Sequence, residues 1–165
     1  MATIAYFIET GMELFVVGHE YGHFVLDHLN KSHLAEDELE ADAVGLDLML
    51  SATRRFSPAP LNFRGAHLLL CSQDLVERAV NVVRTGRDGR PDWKGRTHPP
   101  TAARREQLRA RVGKLLSPEE SNIGAALADT DEFMINVFFD ELKPRLLEFH
   151  RRQRRLDPMW YGGQD

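Results

Sequence analysis

The chain has 165 residues and a formal net charge of -4, a length that suits one domain and allows a hydrophobic core. The single cysteine, Cys71, excludes an internal disulfide framework. Residues 51–165 carry most of the basic residues, but no stacking aromatics interleave with them, so we expect no nucleic-acid partner.

Residues 1–50 combine an apolar stretch with strong negative charge, ten acidic residues against one Lys. The stretch from Ile4 to Leu26 is interrupted by five ionisable side chains, Glu9, Glu13, His19, Glu20 and His23. A lipid-facing span would not tolerate them, so we expect no transmembrane segment. No Lys or Arg precedes Lys31, which argues against a secretory signal and favours a soluble, cytoplasmic protein.

The first three predicted elements are helices. The spacing of apolar residues over 5–29 predicts one helix, or two joined near Gly11. A second helix is predicted over 35–55, with an acidic first turn that complements the helix dipole. Two prolines, Pro58 and Pro60, end it, and the apolar run over 61–83 predicts a third helix at the centre of the core.

The second half of the chain is also predicted to be helical, after a loop over 85–100 that is long enough to be functional. Thr101 is the predicted N-cap of a short helix ending near Leu116, and Ser117 with Glu120 predicts a capping box that begins another helix.

A last amphipathic helix is predicted from Asp131 to about Arg155, which Pro144 should kink or split. We expect its apolar stripe to lie in the core: Phe133, Val137, Phe138, Leu142, Leu146, Leu147 and Phe149. The fold class predicted from these elements is mainly α with little or no β-sheet. A single domain is expected over 1–156, followed by a loose tail over 157–165.

The sequence His19-Glu20-Tyr21-Gly22-His23 has the form H-E-x-x-H and lies on the first predicted helix. Residues four apart are about one helical turn apart, so both imidazoles project from one face and can bind the same metal ion. Glu20 lies ~100° around the helix from His19, which keeps it out of the ligand set. Its carboxylate would stand beside the open metal position, where a general base acts.

A catalytic zinc site usually has a third protein ligand. The acidic start of the second helix offers five carboxylates: Glu36, Asp37, Glu38, Glu40 and Asp42. Glu38 and Asp42 are four residues apart and share a face, so Glu38 could bind the metal while Asp42 accepts a ring N–H from a ligand histidine. The other histidines fit ligation less well. We expect His28 and His33 at the surface or beside the ligands, and His67 as a core histidine.

These motifs resemble the gluzincin zinc metallopeptidases, specifically the group of the CAAX prenyl protease and the membrane protease HtpX. In that group H-E-x-x-H is followed on a later helix by E-x-x-A-D, which matches Glu38 to Asp42, so the resemblance implies Glu38 as the third zinc ligand. The segment from His98 to Arg104 resembles the group's H-P-x-x-x-x-R motif, whose histidine and arginine line or brace the active site.

The resemblance implies a minimal zincin-like helical core and a Zn2+-dependent metallopeptidase acting on a peptide or protein substrate. Glu20 is then the general base, and His98 donates a hydrogen bond to the developing oxyanion. Relatives usually carry a strand ahead of the catalytic helix that binds the substrate backbone, and this sequence predicts none there. Two alternatives stay open: a non-catalytic binding protein stabilised by zinc, or one part of a larger protease.

Overall fold

The computed structural model describes residues 3–30, 35–89 and 99–153. Its helices are α1 (Ile4–Val25), α2 (Ala35–Thr53), α3 (Ala59–Thr85), α4 (Thr101–Leu115) and α5 (Pro118–Gln153), with a 3₁₀ turn, His28–Asn30, after α1. These ranges contain no strand, which confirms the mainly α prediction. Nor do they contain a helix long and apolar enough to cross a bilayer. The predicted tail over 157–165 lies outside the described residues.

The predicted capping box at the start of α5 is confirmed. The Glu120 backbone N–H donates to Ser117 Oγ at 3.3 Å, and the Ser117 N–H donates to Glu120 Oε2 at 3.2 Å. Each residue thereby satisfies a backbone donor of the other, which fixes where this helix begins.

The prediction that Thr101 caps α4 is wrong. Pro100 occupies the N-cap position, and Thr101 is the first helical residue. The Thr101 side chain is buried and its hydroxyl donates to Glu77 Oε2 at 3.2 Å. The hydroxyl therefore ties α4 to α3 instead of capping its own helix.

The last helix is not split at Pro144, and the two helices predicted for this region are one. Contacts with α3 hold α5 on both sides of the proline. The guanidinium of Arg78 stacks 3.8 Å from the Phe139 ring centroid, and His150 Nδ1 donates to the Val83 carbonyl at 2.7 Å. These contacts offset the ~3 kcal/mol that a proline costs inside a helix.

The prediction that the apolar stripe of the last helix lies in the core is also wrong for its larger members. Phe133 is 65% exposed and Phe138 is 55% exposed. The buried face of α5 instead carries Phe139, Ala128 and an acidic residue, Asp131. Asp131 can be buried because Arg64 of α3 donates to it through Nη2 at 2.6 Å.

As predicted, α3 lies at the centre of the structure and packs against each of the other four α-helices. The core is built around it from buried apolar side chains of all five: Phe15, Leu46, Met49, Leu50, Phe63, Ala66, Leu70, Leu108, Val112 and Ala128. Gly65 of α3 packs against the α1 backbone so closely that an added Cβ would clash with the Ile8 carbonyl oxygen. α1 is thereby held directly against the central helix.

Candidate metal centre

The two histidines of the H-E-x-x-H sequence lie one turn apart on α1 and point at the same place. Their Nε2 atoms are 3.1 Å apart, and the two side chains are 12% and 10% exposed. The helical spacing of four residues accounts for this pairing, because it places both rings on the same side of α1.

Glu38 of α2 completes the group. Its Oε2 lies 3.6 Å from His19 Nε2, and its Oε1 lies 3.6 Å from His23 Nε2. Bonds of ~2.0–2.1 Å to one tetrahedral zinc ion would hold neighbouring ligand atoms ~3.4 Å apart. The closest ligand atoms of the three side chains are therefore spaced about as one ion requires, with a different oxygen of Glu38 facing each imidazole.

Close packing of α1 on α2 brings Glu38 to the histidines. A Cβ on Gly18 would lie 2.9 Å from Gly45 Cα, and a Cβ on Gly45 would lie 2.8 Å from the His19 backbone nitrogen. One turn further along α1, a Cβ on Gly22 would lie 3.0 Å from Ala41 Cα. Small residues at these positions let the two backbones approach until the carboxylate of one helix meets the imidazoles of the other.

The other nitrogen of His19 is held by Asp42. His19 Nδ1 lies 2.9 Å from Asp42 Oδ1, and Arg104 of α4 donates two hydrogen bonds of 2.6 Å to the same carboxylate. Burial alone would raise the pKa of Asp42, but the bonds from Arg104 and His19 outweigh it and the pKa lies below its usual value. An ionised Asp42 accepts the Nδ1 proton of His19, so His19 Nε2 keeps its lone pair for a metal.

The other nitrogen of His23 faces His28. The two Nδ1 atoms are 3.1 Å apart, and His28 Nε2 lies 3.2 Å from Glu40 Oε2. His28 is 2% exposed, so it lies beside a candidate ligand and not at the surface. His33 lies outside the described residues.

The pKa of His23 lies below its ordinary value. Burial is the main cause, followed by the neighbouring His19, while Glu38 and, more weakly, Glu20 act in the opposite direction. His23 is therefore neutral at pH 7, which is the state in which an imidazole binds a metal.

The remaining predicted site residues have different outcomes. Glu20 is exposed on α1, between the two histidines in sequence. Arg104 lies at the group, 3.9 Å from Glu38 Oε2 through its Nη1, as well as on Asp42. The predicted position of His98 lies outside the described residues.

A cleft of about 460 Å³ opens between α3 and the start of α4. Its lining includes Leu69, Val76, Glu77, Pro99, Thr101 and Arg104. Arg104 lines this cleft and also bonds Asp42 and lies near Glu38, so it connects the cleft with the candidate metal ligands.

A second group of potential ligands, His67, Cys71 and Glu132, lies between α3 and α5. His67 Nε2 is 3.1 Å from Glu132 Oε1, and Arg109 donates to the same oxygen at 3.0 Å, with Arg105 3.6 Å away. Burial lowers the pKa of His67 to about 4 and raises that of the Cys71 thiol to about 11. The positive charges of Arg105 and Arg109 disfavour a bound cation beside the neutral His67 and Cys71. We therefore interpret His67, Cys71 and Glu132 as a hydrogen-bonded network. The prediction of His67 as a core histidine is confirmed.

Comparison of the chain with models of protein families, with curated proteins and with solved structures found no match. The functional interpretation therefore depends on the residues of the site and on their geometry.

Proposed function

We propose that this protein is a zinc-dependent metallopeptidase of the gluzincin type, with His19, His23 and Glu38 as its metal ligands. The observation that carries the proposal is the convergence of two imidazole Nε2 atoms and one carboxylate at 3.1–3.6 Å from one another. The chemistry of the donors also fits, because imidazole and carboxylate are typical ligands of catalytic zinc.

The residues around the ligands support the same assignment. Asp42 fixes the orientation of His19, and Arg104 keeps Asp42 ionised and in place. When bound, zinc supplies Lewis-acid activation of a water molecule and of the substrate carbonyl. Glu20 would take the proton from that water and return it to the leaving amine, and His98 would donate a hydrogen bond to the oxygen of the substrate carbonyl.

The proposed substrate is a peptide or a protein. The cleft beside Arg104 has mainly apolar walls, including Leu69, Val76 and Pro99, and can accept an apolar side chain next to the scissile bond.

The test compares Glu20→Gln with Glu13→Gln, which removes the same charge from the same exposed face of α1, about two turns away. Glu20→Gln should keep stoichiometric zinc, measured by elemental analysis, and should lose about 100-fold or more in peptide cleavage. Glu13→Gln should keep both. His23→Ala should lose the zinc itself. Cleavage by Glu20→Gln at the rate of the unmodified protein would show that Glu20 is not the base.

A zinc-stabilised binding protein without activity is the second candidate. It is favoured by the small exposure of the three ligand side chains, which is 10–12%. In that case a chelator would lower the free energy of unfolding, and the unmodified protein would cleave no member of a peptide library. Zinc binding with no cleavage by the unmodified protein would therefore support this candidate against the peptidase.

A further inference from the structure

His28 belongs to neither the predicted ligand set nor the predicted catalytic residues, yet it is among the most deeply buried polar side chains of the described chain. We propose that His28 is a positioning residue that, together with Glu40, holds the proton of His23 on Nδ1 and so keeps His23 Nε2 ready to bind the metal. The inference rests on the proposed metal site.

The chain reverses direction at the end of α1 to place this side chain. Asp27 has a φ of 58°, a left-handed conformation that Asp tolerates better than most residues, and Asn30 Nδ2 donates to its carboxylate at 2.5 Å. The reversal brings His28 back against His23, five residues earlier, with the two Nδ1 atoms 3.1 Å apart.

A contact of this length between two ring nitrogens is a hydrogen bond only when one of them carries a proton. A neutral His23 has a single ring proton, so it can donate to His28 through Nδ1 or to His19 through Nε2, but not to both. The contacts of the other ring nitrogen of His28, Nε2, determine which Nδ1 atom carries the proton. His28 Nε2 lies 3.2 Å from Glu40 Oε2 and 3.6 Å from Asp37 Oδ1, and ionised carboxylates can only accept. A neutral His28 therefore carries its proton on Nε2 and accepts the Nδ1 proton of His23.

His23 has a competing arrangement in which its proton lies on Nε2. In that form it donates to His19 Nε2, only 3.1 Å away, and the two Nε2 atoms cannot bind one metal ion together. The acceptor that His28 offers on the opposite side of the ring favours the form that leaves Nε2 free. Asp42 acts in the same way on His19, so both ligand histidines are held by partners on their Nδ1 atoms.

His28, Asp37 and Glu40 could also be considered as a second cation site, since their ligand atoms lie close together. A metal on His28 Nε2 would move the proton of His28 to Nδ1, where it would face the Nδ1 proton of a metal-bound His23 across 3.1 Å. The two sites could not both be filled by neutral histidines. The hydrogen-bonded role is the one compatible with an occupied first site.

The experiment compares His28→Leu with His28→Asn, since the two side chains have nearly the same shape and only Asn offers an acceptor near the position of Nδ1. Zinc affinity is measured by competition with a chromophoric chelator. His28→Leu should bind zinc about 10- to 100-fold more weakly than the unmodified protein, and His28→Asn should recover most of the loss. A purely steric role would give both variants the same affinity.

The second measurement is made on the metal-free protein by nitrogen NMR of the histidine rings, which reports the protonated nitrogen. His23 should carry its proton on Nδ1 in the unmodified protein and in His28→Asn, and should shift towards Nε2 protonation in His28→Leu. An unchanged His23 proton in His28→Leu, or two zinc ions bound per unmodified chain, would overturn the inference. If the unmodified protein bound no zinc, the proposed function would fail, and the ring measurement would still decide the role of His28.

Discussion

Substituting Gly45 by Ala tests whether the close contact of α1 and α2 forms the metal site. The new Cβ would lie 2.8 Å from the His19 backbone nitrogen and 3.0 Å from the Phe15 carbonyl oxygen. The first distance is ~0.7 Å shorter than a favourable contact of ~3.5 Å, and a backbone neighbour cannot rotate away. The helices must therefore move apart.

The magnitude follows from two opposing effects. Overpacking of this kind destabilises a protein by about 1–3 kcal/mol, whereas Ala favours a helix over Gly by about 1 kcal/mol. Gly113→Ala is the matched control, because Gly113 lies in α4 and its Cβ would meet only Ser121 Oγ at 3.8 Å. The control should be stabilised by up to about 1 kcal/mol, so the two variants should differ by about 1–3 kcal/mol.

The assay is urea unfolding of both metal-free variants, followed by zinc titration. Gly45→Ala should unfold at lower urea and bind zinc more weakly, since Glu38 moves away from His19 and His23 together with its helix. Gly113→Ala should bind zinc as the unmodified protein does. Equal stability and equal zinc affinity for the two variants would refute the argument that the close helix contact assembles the site.

Two further predictions concern buried charge. Arg104→Leu leaves the fully buried Asp42 without its main partner and should lower the free energy of unfolding by about 3 kcal/mol, measured with urea. Arg111→Leu, which breaks a partly exposed pair with Asp47, should lower it by at most about 1 kcal/mol; equal losses would contradict this reasoning. Burial lowers the pKa of His67 from 6.5 to about 4, so between these values the unfolded chain binds more protons and stability rises with pH. Over that window the metal-free protein should gain up to about 3 kcal/mol, and His67→Gln should reduce the gain; an unchanged pH dependence would contradict the shift.

Much of the candidate site could be predicted from sequence because its strongest constraint is local. The four-residue spacing of His19 and His23 places both rings on one side of any helix, whatever the rest of the chain does. Glu38 needed more than this spacing, because several carboxylates compete at the start of α2. Its four-residue separation from Asp42 made it a candidate, and the family resemblance selected it. The structure brings Glu38 to the histidines through the glycine contacts, whose partners cannot be read from the sequence.

The sequence placed His28 only at the surface or beside the ligands, and its proposed role could not be predicted because it depends on a single backbone conformation. A motif search counts residues along a regular helix, and the left-handed turn at Asp27 lies just beyond the end of α1. The apolar spacing predicted a first helix that extends to residue 29, so Asp27 and His28 fell inside it, and an Asp followed by a His is a common pattern without structural meaning of its own.

The apolar pattern of α5 gave a wrong prediction of its buried face for a different reason. A hydrophobic pattern predicts the buried face of a helix only when the residues buried there are apolar. The buried face of α5 includes Asp131, which is paired with Arg64. The pairing partner is 67 residues away in the sequence, so no window along the helix could reveal it.

All three candidate ligands lie on α1 and α2, with fourteen residues separating His23 from Glu38 in the sequence. A metal ion that joins residues so close in sequence closes a short loop. Closing a short loop loses less chain entropy than closing a long one. If zinc binds as proposed, α1 and α2 would bind it without α3, α4 and α5 in place. Zinc would then stabilise this pair of helices from early in folding.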